Sequence, residues 1–282
     1  MLHNRIALGV AAAVAATMPA SVSRADTISI VCDRDNTLYE PNDLVQRSNG
    51  SGVVLFSGKN NDGKLRRALV RFDVSTIPAG ATINSVTLRL TLDQTISLNQ
   101  PASVHRVTAD WGEGASNAGL PGGQGTTPAP GDATWIHRFF DGTLWSTPGG
   151  DYNATASSSA THSGTDGPKE WTSAALAQDV RDWLADPSTN FGWVIRGNEA
   201  SMGSARRYHS REAAVEAQRP VLIVDYTPCK ADFDGTGFVD TDDFDAFVHA
   251  FELGDDSADF DETGFVDTDD FDAFVRAFEQ GC

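Results

Sequence analysis

The chain has 282 residues, of which 40% are apolar, so it is long enough to form one or two domains with a real hydrophobic core. Its net charge is −18, and residues 229–282 contribute most of it, because they contain 17 acidic residues against Lys230 and Arg276. Neither part of the chain has the basic stripe that phosphate neutralisation requires, so we expect no nucleic acid partner.

Residues 1–25 have the organisation of a secretory signal peptide. A short positive start at His3–Arg5 precedes a small-residue apolar run, Ile6–Met18, which is too short to span a membrane. Small residues at Ser23 and Ala25 predict cleavage after Ala25, with an uncleaved anchor as the alternative. No second apolar segment follows, so we expect no transmembrane span and a secreted or cell-surface protein in which disulfides can form.

Residues 26–228 are dominated by a period of two, which is typical of half-buried antiparallel strands. Apolar residues stand at every second position in two runs: Ala68, Val70 and Phe72, and then Val86, Leu88, Leu90 and Leu92. Further strand candidates are Val53–Phe56, Ser103–Val107, Phe191–Ile195 and Val221–Tyr226. Many short strands separated by turn residues predict a mainly β fold, an antiparallel β-sandwich of jelly-roll type.

One helix is predicted inside this β region. Thr172 or Ser173 can cap a run whose apolar residues share one face, and Asp186-Pro187 ends that run. Two stretches rich in small and turn-forming residues, Gly112–Gly131 and Ser157–Gly167, are predicted surface loops. Binding sites on a rigid scaffold usually lie on such loops.

Residues 229–282 contain two nearly identical copies of one sequence: ADFDGTGFVDTDDFDAFVHAF starts at Ala231, and ADFDETGFVDTDDFDAFVRAF starts at Ala258. Each copy matches a twelve-residue calcium loop, with oxygen ligands at positions 1, 3, 5, 7, 9 and 12 and a glycine at position 6. Phe238 and Phe265 would contribute backbone carbonyls. The predicted ligands are Asp232, Asp234, Thr236, Phe238, Asp240 and Asp243 in the first loop, and Asp259, Asp261, Thr263, Phe265, Asp267 and Asp270 in the second.

After each loop, apolar residues recur with helical spacing, which predicts a small C-terminal α module of two calcium loop–helix repeats holding two calcium ions. A partly disordered acidic tail is the alternative. Cys229 and Cys282 bracket the repeats, and a disulfide between them would join the two ends of the module. Cys32 is left over, and its alternation with Ile28 and Ile30 predicts a buried free thiol on a strand.

Five segments of the β region together resemble the DNRLRE domain. They are DNTLYE (Asp35–Glu40), RRALVRFDVSTIPAGATINSVTLRL (Arg66–Leu90), VHRVTADWGEG (Val104–Gly114), ATWIHRFFDGTLWSTPGGDY (Ala133–Tyr152) and WTSAALAQDVRDWL (Trp171–Leu184). That family includes carbohydrate-binding modules for alginate-type polysaccharides and also occurs in archaeal disaggregatase-related proteins. The resemblance covers nearly all of residues 26–226 and implies a jelly-roll sandwich that binds glycans.

The C-terminal repeat, with duplicated loop–helix units and Asp at position 12, resembles a type I dockerin. The flanking cysteines resemble the GC-type variant. This resemblance implies a cohesin-like or cell-surface docking partner, contacted through positions 10 and 11 and the following helix. The corresponding residues are Thr241, Asp242, Thr268 and Asp269, with His249 and Arg276 on the helices. Alternatively, each Thr caps its helix and each Asp favours the helix dipole, and both interpretations stay open.

Glycan binding needs aromatic faces for sugar rings and, for an anionic polymer, basic side chains. The candidate residues are Arg66, Arg67, Trp111, Arg206, Arg207, His209 and Arg211. For the basic residues the alternative is a solvated hairpin with salt bridges to Glu199 or Glu212, and for Trp111 the alternative is burial in the core.

No serine-hydrolase elbow, zinc-protease motif or Cys/His zinc spacing occurs in the chain. A carboxylate pair for glycoside hydrolysis leaves no local spacing, so no catalytic residue is predicted and enzymatic activity stays open. We expect a non-catalytic polysaccharide-binding protein with a calcium-dependent docking or surface-anchoring module. The alternatives are a polysaccharide lyase or glycoside hydrolase with its active site in the sandwich, and a purely structural cell-surface protein.

Overall fold

A computed structural model describes residues 25–281, so the predicted signal peptide up to residue 24 and Cys282 lie outside the described range. The strands are β1 (Asp26–Tyr39), β2 (Val54–Lys59), β3 (Leu65–Phe72), β4 (Thr82–Thr95), β5 (Gln100–Arg106), β6 (His137–Phe139), β7 (Thr143–Leu144), β8 (Ser158–His162), β9 (Gly167–Thr172), β10 (Trp193–Arg196), β11 (Arg206–His209) and β12 (Val221–Thr227). The α-helices are α1 (Ala174–Ala185), α2 (Thr241–Leu253) and α3 (Thr268–Gln280).

Six strands close into an antiparallel barrel in the order β1-β12-β4-β11-β2-β3 and back to β1. Closure depends on β1, whose 14 residues serve two partners. Its first part pairs with β12, with Ile30 opposite Leu222, and its later part pairs with β3, with Asp35 opposite Val70. The chain is therefore mainly β, as its period of two predicts, and the core of the β region is a closed barrel.

Four more strands extend this barrel. β10, β5 and β8 continue the sheet beyond β3, and β9 pairs with β4. The pair β6–β7 forms a separate two-stranded sheet within the long connection between β5 and β8. Three connections, those after β1, β5 and β11, lie near one another around the second half of β1.

The barrel core is built from the inward faces of the strands. On β4, the alternating residues Val86, Leu88, Leu90 and Leu92 are at most 1% exposed, as their spacing predicts. Burying each such side chain stabilises the fold by about 1.5–3 kcal/mol. Cys32 is buried among them and free, which confirms the prediction from its position on the strand.

Helix α1 covers part of the barrel beside β4 and β9. It begins after Ser173, whose side chain accepts a hydrogen bond from the Leu176 amide at 3.0 Å, and it ends at Asp186. Trp183 on its buried face packs against Trp193 of β10, with ring centroids 4.5 Å apart. The predicted cap, end and apolar face of this helix are all confirmed.

The C-terminal helices α2 and α3 form a small phenylalanine core of their own. The rings of Phe247 and Phe274 lie 3.9 Å apart at an interplanar angle of 8°, and both side chains are fully buried. Phe260, at the start of the second loop, packs edge-on against Phe247 and Phe274. Because equivalent residues of the two copies meet here, each loop–helix unit buries its apolar face against the other.

Among the described residues, none of the helices has the length and apolar composition that a bilayer-spanning segment needs.

Candidate calcium loops and the basic residues of the barrel

The first loop brings three of its predicted ligands together. One carboxylate oxygen each of Asp232, Asp234 and Asp243 lies within 4.8 Å of the others. The loop is held in this shape by its own backbone: the Gly237 amide donates to Asp232 at 2.9 Å, and the Thr236 amide donates to Asp234 at 3.0 Å. Gly237 has a φ of 93°, which a side chain would strain, so glycine is required at this turn.

Asp243 links the first loop to helix α2. Its two carboxylate oxygens accept hydrogen bonds from the amides of Asp234 at 3.0 Å and Asp240 at 2.8 Å. Burial alone would raise the pKa of Asp243, but these backbone donors lower it below its usual value. The carboxylate is therefore held in its charged form, as a metal ligand must be.

The second loop repeats the same arrangement. Asp259, Asp261 and Asp270 form an equivalent group within 4.8 Å. Asp270 accepts from the amides of Asp261 at 3.0 Å and Asp267 at 2.8 Å, and its pKa is lowered for the same reason as in the first loop. Two copies of one sequence thus adopt two copies of one hydrogen-bond pattern.

The other predicted ligands lie around these groups. Asp240 and Asp267 are the N-caps of α2 and α3, each within a capping box that also uses the buried Asp243 or Asp270. Thr236 and Thr263 are exposed and donate their amides to loop carboxylates. The side chains of Phe238 and Phe265 are 74% and 75% exposed, so these residues would contribute only their carbonyls.

The donor set fits a hard divalent cation. Every candidate atom is an oxygen, as calcium prefers, and three carboxylates in such proximity need a counter-charge. Within the described part of the chain, the buried Oδ1 atom of Asp232 has no hydrogen-bond partner, which leaves it available as a ligand. The residues that would hold calcium are therefore those the sequence places at positions 1, 3 and 12 of each loop.

The predicted docking residues occupy the first turns of the two helices. Thr241, Asp242, Thr268 and Asp269 are all exposed, and so are His249 and Arg276. The interpretation in which each Thr caps its helix is wrong, because Asp240 and Asp267 are the capping residues. Cys229 is disulfide-bonded, whereas Cys282, its predicted partner, lies outside the described residues.

Three of the predicted glycan-binding arginines, Arg66, Arg67 and Arg206, are buried in the barrel wall. Arg206 is 1% exposed and donates to the carbonyls of Leu98, His162 and Ser163. Arg67 is 7% exposed and forms an ion pair of 2.7 Å with Glu199. A buried charge must be matched by hydrogen-bond acceptors, and here neighbouring segments of the chain supply them. The guanidinium groups of Arg67 and Arg206 therefore connect these segments and are not available to a ligand at the surface.

Trp111 is also buried, and its indole N–H donates to the Phe191 carbonyl at 2.8 Å. It belongs to a second apolar cluster with Trp135 and Trp145 beneath the long connection after β5. The alternative of burial therefore describes Trp111, and the ring is not available to stack on a sugar.

Arg66 and Arg207 meet in a groove of about 620 Å³ between β2, β4, β11 and the glycine-rich loop around Gly122. Its polar and aromatic lining includes Phe56, Asn60, Asp62, Arg66, Gln94 and Arg207. Arg207 forms an ion pair of 2.5 Å with Asp93, and burial lowers the pKa of Arg66, which donates to carbonyls of Leu65 and Glu40. Pockets of a few hundred Å³ with a few converging polar groups are typical ligand sites.

His209 and Arg211 follow Arg207 along the chain but lie outside this groove. His209 is half-buried, with its Nε2 atom 3.7 Å from Asp93. Arg211 instead pairs with Glu113 at 2.5 Å and with Glu212 at 3.0 Å, and this acidic surrounding raises its pKa above the usual value. The linear cluster of basic residues is therefore divided between the barrel wall, one groove and one acidic group.

No known family model matches this chain, and no curated protein matches it.

Proposed function

We propose that this chain is an exported, non-catalytic polysaccharide-binding protein that carries a calcium-dependent docking module. The observation that carries the proposal is the pair of loops in which three carboxylates converge on one point, with the same backbone hydrogen bonds in both copies. The similarity of residues 229–282 to a type I dockerin supports the same interpretation. On this proposal the barrel is a jelly-roll-type sandwich that binds the glycan.

Calcium would hold each loop against its helix. Two like charges about 4 Å apart repel by about 4 kcal/mol at an effective dielectric of 20, and three carboxylates meet in each loop. A calcium ion supplies the counter-charge, while Asp243 and Asp270 keep the loops connected to the first turns of α2 and α3. Because a site of this kind does not exist in the unfolded chain, its binding free energy is also folding free energy.

The calcium sites are tested on the full chain. We expect chelator to reduce the helical circular dichroism at 222 nm that α2 and α3 contribute, and calcium to restore it. Asp243→Asn and Asp270→Asn remove the negative charge and one of the two oxygens at position 12, and each should weaken calcium binding at least tenfold. The exposed Asp245 and Asp272, on the same helices, provide matched control variants, Asp245→Asn and Asp272→Asn. Unchanged helicity in chelator, with equal affinities in all four variants, would refute the proposal.

The exposed first turns of α2 and α3 support a docking role. Thr241 and Asp242 face solvent in the first copy, and Thr268 and Asp269 do so in the second. A partner that recognises either pair would depend on calcium, because the helices start at residues that the loops hold in place. We therefore propose a cohesin-like or cell-surface partner, and chelator should release the chain from it.

The groove around Arg66 and Arg207 is the proposed glycan site. Amide side chains, an aromatic ring and the guanidinium group of Arg207 are the kinds of partner that a uronic or sulfated sugar requires. The similarity of residues 26–226 to the DNRLRE domain supports glycan binding by the same module. Of the seven predicted sugar-binding residues, Arg207 remains the candidate for direct contact, because Arg66 is only 3% exposed and donates to the carbonyls of Leu65, Glu40 and Gly123.

Binding is tested by isothermal titration with soluble alginate, pectin and a sulfated polysaccharide, with a neutral glucan for comparison. Arg207→Gln should weaken binding to the anionic polymer at least tenfold. Arg89→Gln is the matched control, since Arg89 forms an exposed ion pair of 2.7 Å with Glu170 on the same sheet, outside the groove. Equal affinities of both variants, or release of unsaturated or reducing-end products from the polymer, would contradict a non-catalytic site here.

A further inference from the structure

A third group of carboxylates lies in the barrel, outside the two C-terminal loops. It joins Asp35 of β1, Glu113 of the connection after β5, and Glu212 of the connection after β11. One oxygen of each lies within 4.8 Å of the others. Two oxygens on opposite sides of a calcium ion with bonds of about 2.4 Å are about 4.8 Å apart, so three oxygens this close can share one ion.

Asp35 supplies a second, independent observation. Its side chain is 0% exposed, and within the described residues its Oδ1 atom has no hydrogen-bond partner. Its other oxygen accepts from the Arg211 amide at 2.7 Å. A buried carboxylate oxygen without a donor is an expensive arrangement, which a bound cation relieves directly.

The charges of the group leave an unmatched negative balance. Arg211 is bound to Glu113 through two hydrogen bonds of 2.5 and 2.6 Å and lies 3.0 Å from Glu212. One guanidinium therefore faces three carboxylates, which leaves two negative charges.

We propose that Asp35, Glu113 and Glu212 bind a divalent cation, calcium, which ties β1 to two of the long connections of the barrel. The ligands are carboxylate oxygens, which suit calcium better than zinc or copper. This site is separate from the two loops of the C-terminal module and does not depend on them.

The ion count of the full chain tests this proposal. After removal of metal by chelator and equilibrium dialysis against calcium, we expect three ions per wild-type chain, two in Glu212→Gln, and one in the double variant Asp243→Asn/Asp270→Asn. Glu216→Gln is the control on the same connection, since the Glu216 side chain is 87% exposed, and it should keep three. Two ions in the wild type with none in the double variant, or three in Glu212→Gln, would overturn the proposal. A wild-type count of one that is lost in Glu212→Gln would support this site and refute the loops instead.

Terbium luminescence provides a second measurement that needs no count. All six tryptophans lie in the β region, between Trp111 and Trp193, and none lies in residues 229–282, so tryptophan excitation sensitises terbium bound in the β region. In the Asp243→Asn/Asp270→Asn chain we expect sensitised emission that calcium displaces and that Glu212→Gln removes. Absence of such emission in this double variant would overturn the proposal, and so would emission that persists when Glu212→Gln is added.

Discussion

The contact between the first calcium loop and the barrel can be tested with one glycine of each loop. Gly237 and Gly264 both have a positive φ, of 93° and 88°, so alanine at either position should cost about 1–2 kcal/mol of backbone strain. Their surroundings differ. A Cβ at residue 237 would lie 2.5 Å from the Cβ of Ala79 in the barrel, whereas one at residue 264 meets no atom of the described chain within 4 Å.

Overpacking of this kind costs about 1–3 kcal/mol. We therefore expect Gly264→Ala to destabilise the module by about 1–2 kcal/mol and Gly237→Ala by about 2–5 kcal/mol, the sum of both costs. Urea unfolding in saturating calcium, followed at 222 nm, measures both variants. Tryptophan fluorescence reports the barrel alone in the same samples, because residues 229–282 contain no tryptophan.

A double-mutant cycle with Ala79→Gly separates strain from contact. Removing the Ala79 methyl should recover the steric part of the Gly237→Ala cost, so the coupling free energy should be about 1–3 kcal/mol. The same cycle between Ala79→Gly and Gly264→Ala should give a coupling near zero. A Gly237–Ala79 coupling below about 0.5 kcal/mol would refute the contact between loop and barrel.

Three further predictions concern stability. Burial would raise the pKa of Glu199, but hydrogen bonds from Arg196 and Arg67 lower it to about 2, so Glu199→Gln should cost about 3 kcal/mol at pH 7. This stabilisation is present above the unfolded pKa of about 4.5 and is lost as the pH falls towards 2, so the difference in urea unfolding, read by tryptophan fluorescence, should shrink to roughly half near pH 3. Phe274→Ala should cost about 3–5 kcal/mol of module stability, measured at 222 nm, with the partly exposed Phe278→Ala costing less. Glu262 is a non-glycine residue at φ 61°, so Glu262→Gly should raise the free energy of unfolding of the module by about 1 kcal/mol in the same assay.

Each of these has an outcome that would contradict it. A constant cost of Glu199→Gln between pH 7 and pH 3 would mean that the charged carboxylate is not what stabilises the barrel. Equal effects of the two phenylalanine variants would contradict the stacked core. For Glu262→Gly, the control is Gly235→Glu at the same place in the first loop, where φ is 74°, and it should destabilise. Destabilisation by Glu262→Gly would show that its ion pair of 2.6 Å with Lys230 outweighs the backbone strain.

The convergence of three carboxylates in each C-terminal loop could be predicted because the residues involved fall within twelve consecutive positions. Local spacing there determines which carboxylates converge, and a glycine marks the turn. Helix α1 and strand β4 could also be predicted from the sequence, since their apolar periods are long and their ends carry capping or turn residues. The short strands β6 and β8 could not be predicted, because three and five residues are too few to show a period, and β8 lies within a stretch predicted to be a loop.

The roles of the arginines depend on contacts between distant segments. Alternation places Arg206 on one of two faces of a strand, but only the carbonyls of Leu98 and His162, 108 and 44 positions away, show that this face is interior. Asp35 and Glu113 are brought together over 78 positions in the same way. The cluster of basic residues in the sequence therefore predicted one binding surface. In the folded chain, closure of the barrel places these residues in three different environments.

The sequence symmetry of the two candidate calcium loops is not matched by their surroundings. The first loop lines a cavity beside Pro78 and Trp183 through its residues Thr236, Gly237 and Phe238. In the second loop, a Cβ added to Gly264, the equivalent of Gly237, would meet no described atom within 4 Å. A partner that reads both copies in the same way would meet the barrel beside the first loop, but not beside that position of the second. Two loops with almost the same sequence thus differ in their contact with the barrel. The coupling free energy of the Gly237–Ala79 cycle measures the strength of that contact.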